Sequence, residues 1–266
     1  MLHEFRDEIM TAQFSVRFDA SESESGRLCA VADEMFEEIH RLESLLSRFV
    51  EDSDVSQINR LSLGESVIVS QETFRCLELA EEATRLTEGH FDAAYLSPAV
   101  DGGLRPFSLL TSPHRVRSEV SSLHIDLGGI GKGFALDYVA PIPLSYGYSR
   151  VLLGADSSTM LALEPPENTS GWDVCIELDG NEQRVELSNR AVSCSGTSMR
   201  GEHIFDVKRR IWLTQTKRGY VFDSSAALSD AFSTAVLTMK GAASPMGVNQ
   251  YNAVQCLKTR MGLTGS

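Results

Sequence analysis

Apolar residues recur every three or four positions from Leu28 onward. Leu28, Val31, Met35, Ile39, Leu42 and Leu45 form one stripe, which predicts a core-packed helix running to about Ser47. A second stripe, Phe74, Leu77, Ala80 and Ala83, predicts a helix over 71–88 with Gly89 as its stop. Two more helices are expected, one from GKGFALDYVA and ending before Pro141, the other from about Ala226 to Met239. Alternating or short apolar runs predict strands at MTAQFSVRF (10–18), SVIV (66–69), SSLHIDL (121–127), YSRVLLG (148–154), WDVCIEL (172–178), QRVEL (183–187) and RAVSCSG (190–196). HIFDV (203–207), RIWLT (210–214) and GYVFD (219–223) read as further short strands. SESESG (21–26) reads as a loop, as does the Gly/Pro/Ser-rich stretch from Asp101 to Ser118, and the tail after Met239 gives little signal.

Strands and helices are mixed without regular alternation, and the strands of the second half lie close in sequence. The expected class is therefore α+β, a largely antiparallel sheet flanked by helices, rather than a doubly wound parallel sheet. At 266 residues the chain is read as one domain, with two closely joined α+β halves as the alternative.

Charge narrows the function. A formal net charge of −13 argues against a nucleic-acid surface, which needs clustered Lys and Arg. A small anionic ligand would instead need local neutralisation by a metal, backbone N–H groups or one well-placed Lys. The five cysteines are scattered without a CxxC pair, so neither a disulfide framework nor a zinc site is indicated. The start, MLHEFRDEIM, carries charges where a signal peptide would be apolar, and no segment is long enough to span a bilayer. The chain is expected to be cytoplasmic, with no membrane segment and no nucleic-acid partner.

Three segments carry candidate chemistry. HIDLGGIGKGFALDY (124–138) puts a glycine turn and Lys132 between an expected strand and an expected helix. It fails as a Walker A loop, with Asp126 in place of the first Gly and Gly133 in place of Ser or Thr. It also fails the G-x-G-x-x-G dinucleotide spacing. Free N–H groups at a helix start still make an anion site reasonable, and a tight turn with Lys132 solvated remains the other reading. In DSSAALSDAFSTAVLTM (223–239), Asp230 and Thr234 lie four apart on one helix face. A carboxylate and a hydroxyl are hard oxygen ligands suited to Mg²⁺, although the same pair also fits ordinary helix-start electrostatics and packing. In SCSGTSMRGEHIFD (193–206), His203 is either a proton-transfer or anion-binding group or an edge-strand histidine bonded to backbone.

Taken in order, these segments resemble the ApbE family of FAD:protein FMN transferases and their flavin-binding relatives. MTAQFSV from Met10 resembles the family's M-G-T and following strand. SRFVEDSDVSQIN (47–59) resembles its S-x-Y/F segment, and GHFD (89–92) its G-x-F-D. DLGGIGKGFALD (126–137) matches its glycine-lysine motif at nearly every position. SG (195–196) with HIFD (203–206) resembles S-G followed by H-x-x-D, and SDAFSTA (229–235) the late helix. The pattern spans roughly residues 10 to 240. It departs at Thr11, where the family has Gly, at GADSS (154–158) in place of G-G-D, and at VKRRIW (207–212) in place of P-x-T-G.

The resemblance implies an α+β ApbE-like fold and an enzyme that moves FMN from FAD to a Thr hydroxyl of an acceptor protein, releasing AMP. The alternative is a protein that binds FAD without transfer, or hydrolyses it. It implies Mg²⁺ held by the Gly131 carbonyl, Asp230 and Thr234, with His203 and Asp230 as catalytic residues. It further implies FAD contacts at Met10, Phe49, Asp92, Lys132, Asp137, Ser195, Gly196 and His203.

Overall fold

In the computed structural model, which describes residues 1–178, 181–196, 204–213, 218–239 and 248–252, the chain opens with a hairpin of β1 (Leu2–Ile9) and β2 (Ala12–Asp19). Helices α1 (Ser25–Leu46) and α2 (Asp54–Ile58), strand β3 (Ser66–Ile68) and helix α3 (Gln71–Leu86) follow. Next come the hairpin β4 (Phe107–Thr111) and β5 (His114–Ser118), then α4 (Gly131–Val139) and α5 (Pro141–Ser145). Strands β6 (Val151–Ala155), β7 (Thr159–Ala162), β8 (Trp172–Leu178), β9 (Asn181–Leu187), β10 (Arg190–Gly196), β11 (Phe205–Asp206), β12 (Ile211–Trp212) and β13 (Arg218–Asp223) lead to α6 (Ala226–Val236) and β14 (Val248–Asn252).

Seven strands form the main sheet in the order β1-β2-β6-β7-β10-β13-β14. Its neighbours are antiparallel except for β13 and β14. Residues alternate between its faces, as the two-residue strand period requires. Ala191 and Val221 point into the large core shared with α1, α3, α4 and α6. Val192, Tyr220 and Phe222 point the other way, into a second cluster with Trp172, Val174 and Ile176 of β8. The β8–β9 hairpin thus covers the face that the helices leave open. Phe14 and Phe18 of β2 are fully buried, and burial of such a side chain stabilises by about 1.5–3 kcal/mol.

The expected helices form where their stripes lie, with Leu46 rather than Leu45 completing the first. Each of α2, α3 and α6 starts on a serine, Ser53, Ser70 and Ser225, whose hydroxyl accepts a first-turn N–H. Two expectations fail. The stretch read as a surface loop from 101 to 118 holds the β4–β5 hairpin, which pairs with β3; its turn is Ser112–Pro113, so the proline sits outside the strands. SSLHIDL is not a strand: Asn59 brackets Ile125 by donating to its carbonyl and accepting from its N–H. Ser97 treats His124 in the same way. Side chains supply what a neighbouring strand would have given. Strands β1, β7 and β14 and the short helices α2 and α5 are not foreseen from the sequence. β1 gives no strand signal because it is an edge strand with charges on both faces and little burial. Among the described residues no helix is long and apolar enough to cross a membrane, and the four described cysteines are free.

Candidate functional site

The first turn of α4 lies directly against the first turn of α6. A Cβ at Gly133 would stand 2.1 Å from the Ala226 carbonyl oxygen, so only glycine allows this approach. Each helix then caps the other. Asp230 of α6 accepts the Gly133 N–H at 3.1 Å, in a helix whose own N-terminal residue Ile130 offers no side-chain cap. Asp137 of α4 accepts the Ala226 and Ala227 N–H groups at 2.8 and 2.9 Å and the Ser225 hydroxyl at 2.7 Å. These bonds satisfy orphan donors and place negative charge at two helix N-termini. Burial pushes the Asp137 carboxyl above the usual range, and the three donors work against that shift.

Beside this joint opens a cavity of about 900 Å³. The structure brings Met10, Phe49, Asp92, Gly131, Lys132, Ser195, Gly196, Asp230 and Thr234 to its lining. Those residues come from segments more than two hundred positions apart. Asp137 does not line it; its carboxylate serves the α4–α6 joint. His203 lies outside the described residues. Asp206 of the same motif is buried and accepts the Arg209 N–H at 3.0 Å. Among the described residues no three His, Cys, Asp or Glu side chains gather as a metal cluster, and Asp230 and Thr234 offer one carboxylate and one hydroxyl.

Carboxylates dominate the lining: Glu43, Asp92, Asp126, Asp156, Glu177, Glu182 and Asp230 stand against Arg48, Lys132 and Arg218. Several are already engaged. Asp92 accepts both terminal nitrogens of Arg105 at 2.7 and 2.8 Å, and the same guanidinium forks to Glu81. Burial raises the Glu81 carboxyl despite that partner. Glu177 pairs with Arg218 at 2.5 Å, and its N–H donates to the Tyr220 hydroxyl, which ties β8 to β13 beside Gly196. Sequence reasoning missed Arg105, which fell in the stretch read as loop, and Arg218, which no motif marks.

At the mouth the backbone is unusual. Met10 and Thr11 form the β1–β2 turn with φ of 55° and 56°, and Asp156 adopts 51° in the turn between β6 and β7. All three line the cavity, in a conformation that L side chains enter at a cost. Thr11 stands where the resemblance implies a glycine. Phe49 is 82% exposed, with the Arg48 guanidinium 4.6 Å from its ring centre and 3.5 Å from Asp126. Tyr95 packs on Phe205 and Trp212, its hydroxyl donates to Asp126 at 3.3 Å, and burial pushes its pKa up to about 12. His90, also lining the cavity, was not singled out from the sequence. Its Nδ1 lies 2.8 Å from the Thr238 hydroxyl, which is also within reach of the Ala235 carbonyl.

The model of the ApbE family matches residues 10–257. A FAD:protein FMN transferase of Buchnera aphidicola subsp. Schizaphis graminum is 20% identical, over 84% of this chain and 77% of its own length. Another, of Vibrio cholerae, is 23% identical over 88% and 80%. Among solved structures, the apo flavinyl transferase ApbE of Pseudomonas stutzeri superposes with a TM-score of 0.76 at 20% identity, covering 98% of this chain and 89% of that one. The ApbE protein of Thermotoga maritima gives 0.74 at 23% identity, covering 91% and 88%. At these identities the superpositions establish the α+β fold.

Proposed function

The chain belongs to the ApbE family, and from that premise we propose that it is a Mg²⁺-dependent FAD:protein FMN transferase acting on a Thr hydroxyl of an acceptor protein. One observation carries the reading: a single cavity is lined by residues from six separated motif segments, at positions 10, 49, 92, 131–132, 195–196 and 230–234. Its size suits a dinucleotide, since ligand pockets run to roughly 1,000 Å³. The curated relatives named FAD:protein FMN transferase support the reaction class.

The donor set fits the cation. Gly131 through its carbonyl, Asp230 and Thr234 would hold it, all hard oxygens, with waters and phosphate oxygens completing the shell. A lining rich in carboxylates repels a pyrophosphate on its own, so an anionic substrate needs such a counter-charge. When bound, Mg²⁺ supplies stabilisation of the charge that builds on the pyrophosphate oxygens. The chain's own residues do the rest. Gly129 and Gly131 let backbone approach the phosphates at the start of α4, Lys132 adds positive charge there, and Phe49 offers an exposed ring face at the mouth. The acceptor Thr oxygen attacks the phosphorus on the FMN side. A new P–O bond forms, the bond to the AMP phosphate oxygen breaks, AMP leaves with that oxygen, and the hydroxyl proton passes to solvent or a nearby base.

The test mixes the protein with FAD, Mg²⁺ and an acceptor fragment containing a flavinylated-type Thr, and follows AMP together with a fluorescent protein band. Both are expected, and both are expected to vanish with chelator. AMP without a labelled band would mean hydrolysis. Bound flavin without AMP would mean a binding protein, a result the changed stretch at 207–212 makes worth separating.

A further inference from the structure

Three hydroxyls form a continuous chain where β10 meets α6. Ser233 Oγ lies 2.7 Å from the Asp230 carbonyl oxygen, Ser195 Oγ lies 2.7 Å from Ser233 Oγ, and Thr234 Oγ1 lies 3.0 Å from Ser195 Oγ. Each hydroxyl has one proton to give, whereas a backbone carbonyl only accepts. That end fixes the direction of the whole chain. Ser233 must donate to Asp230, since the reverse would set two lone pairs face to face at 2.7 Å. With that proton spent, Ser195 must donate to Ser233, and Thr234 must donate to Ser195.

The consequence falls on Thr234. Its proton is turned toward Ser195, so the lone pairs of Oγ1 are what it has left to offer along the cavity that it lines. On one side stands Gly129, with no side chain to cover the oxygen; even a Cβ built there would be 3.6 Å away. Asp230 anchors the arrangement twice, ending the hydroxyl chain with its carbonyl and holding the Gly133 N–H with its carboxylate. Ser233 is fully buried, so no water competes for its proton.

We propose that Ser195 is a positioning residue for the cation: by accepting the Thr234 proton and passing polarity through Ser233 to a carbonyl, it aims the Thr234 lone pairs at the metal. This rests on the metal reading above. Partners of this kind, one step removed from the ion, typically change metal affinity about 10-fold to 100-fold when lost.

Mn²⁺ can stand in for Mg²⁺ and be titrated in the presence of FAD, with free Mn²⁺ read by electron paramagnetic resonance. Ser195→Ala is expected to weaken Mn²⁺ binding about 10-fold with its thermal midpoint nearly unchanged, and Ser195→Thr to restore it. Ser233→Ala, which removes the fixed end, is expected to weaken binding in the same direction and serves if Ser195→Ala folds poorly. Full Mn²⁺ affinity in both alanine variants would overturn the proposal. So would an equal loss of FAD affinity in chelator, which would make Ser195 a direct flavin contact. A parent protein that takes up no Mn²⁺ with FAD would remove the metal reading itself, an outcome visible before any variant is made.

Discussion

The cavity has two unlike ends. At the α4–α6 joint, helices meet through Gly133 and Ala226, and the buried Asp230 and the half-buried Asp137 each cap the other's helix. At the mouth, the lining comes largely from turns: Met10, Thr11 and Asp156 hold positive φ, Phe49 is exposed, and Tyr95, Phe205 and Trp212 pack tilted or edge-on against one another. The joint is fixed by packing and leaves no room for variation. The mouth is held by local strain and aromatic contact, and there the chain departs from its family's pattern at Thr11, at 154–158 and at 207–212. A rigid end suits chemistry that depends on sub-ångström placement, and an end built from turns suits recognition.

The contrast can be broken first at the joint. Gly133→Ala is expected to cost more than about 3 kcal/mol, because the clash is with backbone that cannot move without parting α4 from α6. Chemical denaturation measures it, and a cost under 1 kcal/mol, on the order of a surface substitution, would mean the joint is loose. Asp230→Asn keeps an acceptor for the Gly133 N–H but removes the charge. FAD-dependent AMP release is expected to fall at least about 100-fold, the scale of losing one preorganised charge contact, with the fold retained. Unchanged turnover would refute the assignment of Asp230.

Asp137→Ala should separate capping from ligand binding. It removes three accepted hydrogen bonds at the α6 N-terminus and is expected to cost about 2 kcal/mol, the upper range for a lost helix cap. A loss of FAD affinity with no loss of stability would return Asp137 to the binding site that the resemblance implied for it.

At the mouth the effects are smaller and one has the opposite sign. Left-handed φ costs a non-glycine residue about 1–2 kcal/mol, while glycine loses about 0.5–1 kcal/mol more chain entropy on folding. Thr11→Gly is therefore expected to stabilise the protein by roughly 0.5 kcal/mol, read as a raised thermal midpoint. A lowered midpoint would show that the Thr11 side chain supplies more than its strain costs.

A separate effect shows only at high pH. Tyr95 titrates in the folded protein at about 12 against an ordinary 10.0, so folding favours its neutral form. The stability this contributes is fully present below pH 10 and is lost as pH rises through about 12. Tyr95→Phe is accordingly expected to lose less stability than the parent between those values. Parallel stability curves for the two proteins would contradict it.

Legibility in the sequence follows the same division. The stripes of α1 and α3 and the DLGGIGKG and DAFST segments were readable because helix periodicity and motif spacing are local properties. SSLHIDL was misread as a strand because its extended backbone is satisfied by Asn59 and Ser97, residues that periodicity cannot connect to it. The β4–β5 hairpin was hidden by a glycine- and proline-rich approach, and with it Arg105, which holds Asp92 in place. Asp137 stands in a motif for which the resemblance implies a flavin contact, and no local signal shows that its carboxylate accepts the N–H groups of a helix ninety residues away.

What the sequence determined by itself was the set of elements with a 3.6-residue period, the α+β class and the order of the motif segments, since each is written in short-range spacing. Tertiary structure alone decided that Asp137 caps a helix away from the cavity while Asp230 both caps one and lines it, the direction of the hydroxyl chain from Thr234 to Asp230, and the left-handed turn at Thr11. Those depend on atoms brought together across the fold, where a single proton or one missing Cβ settles the arrangement.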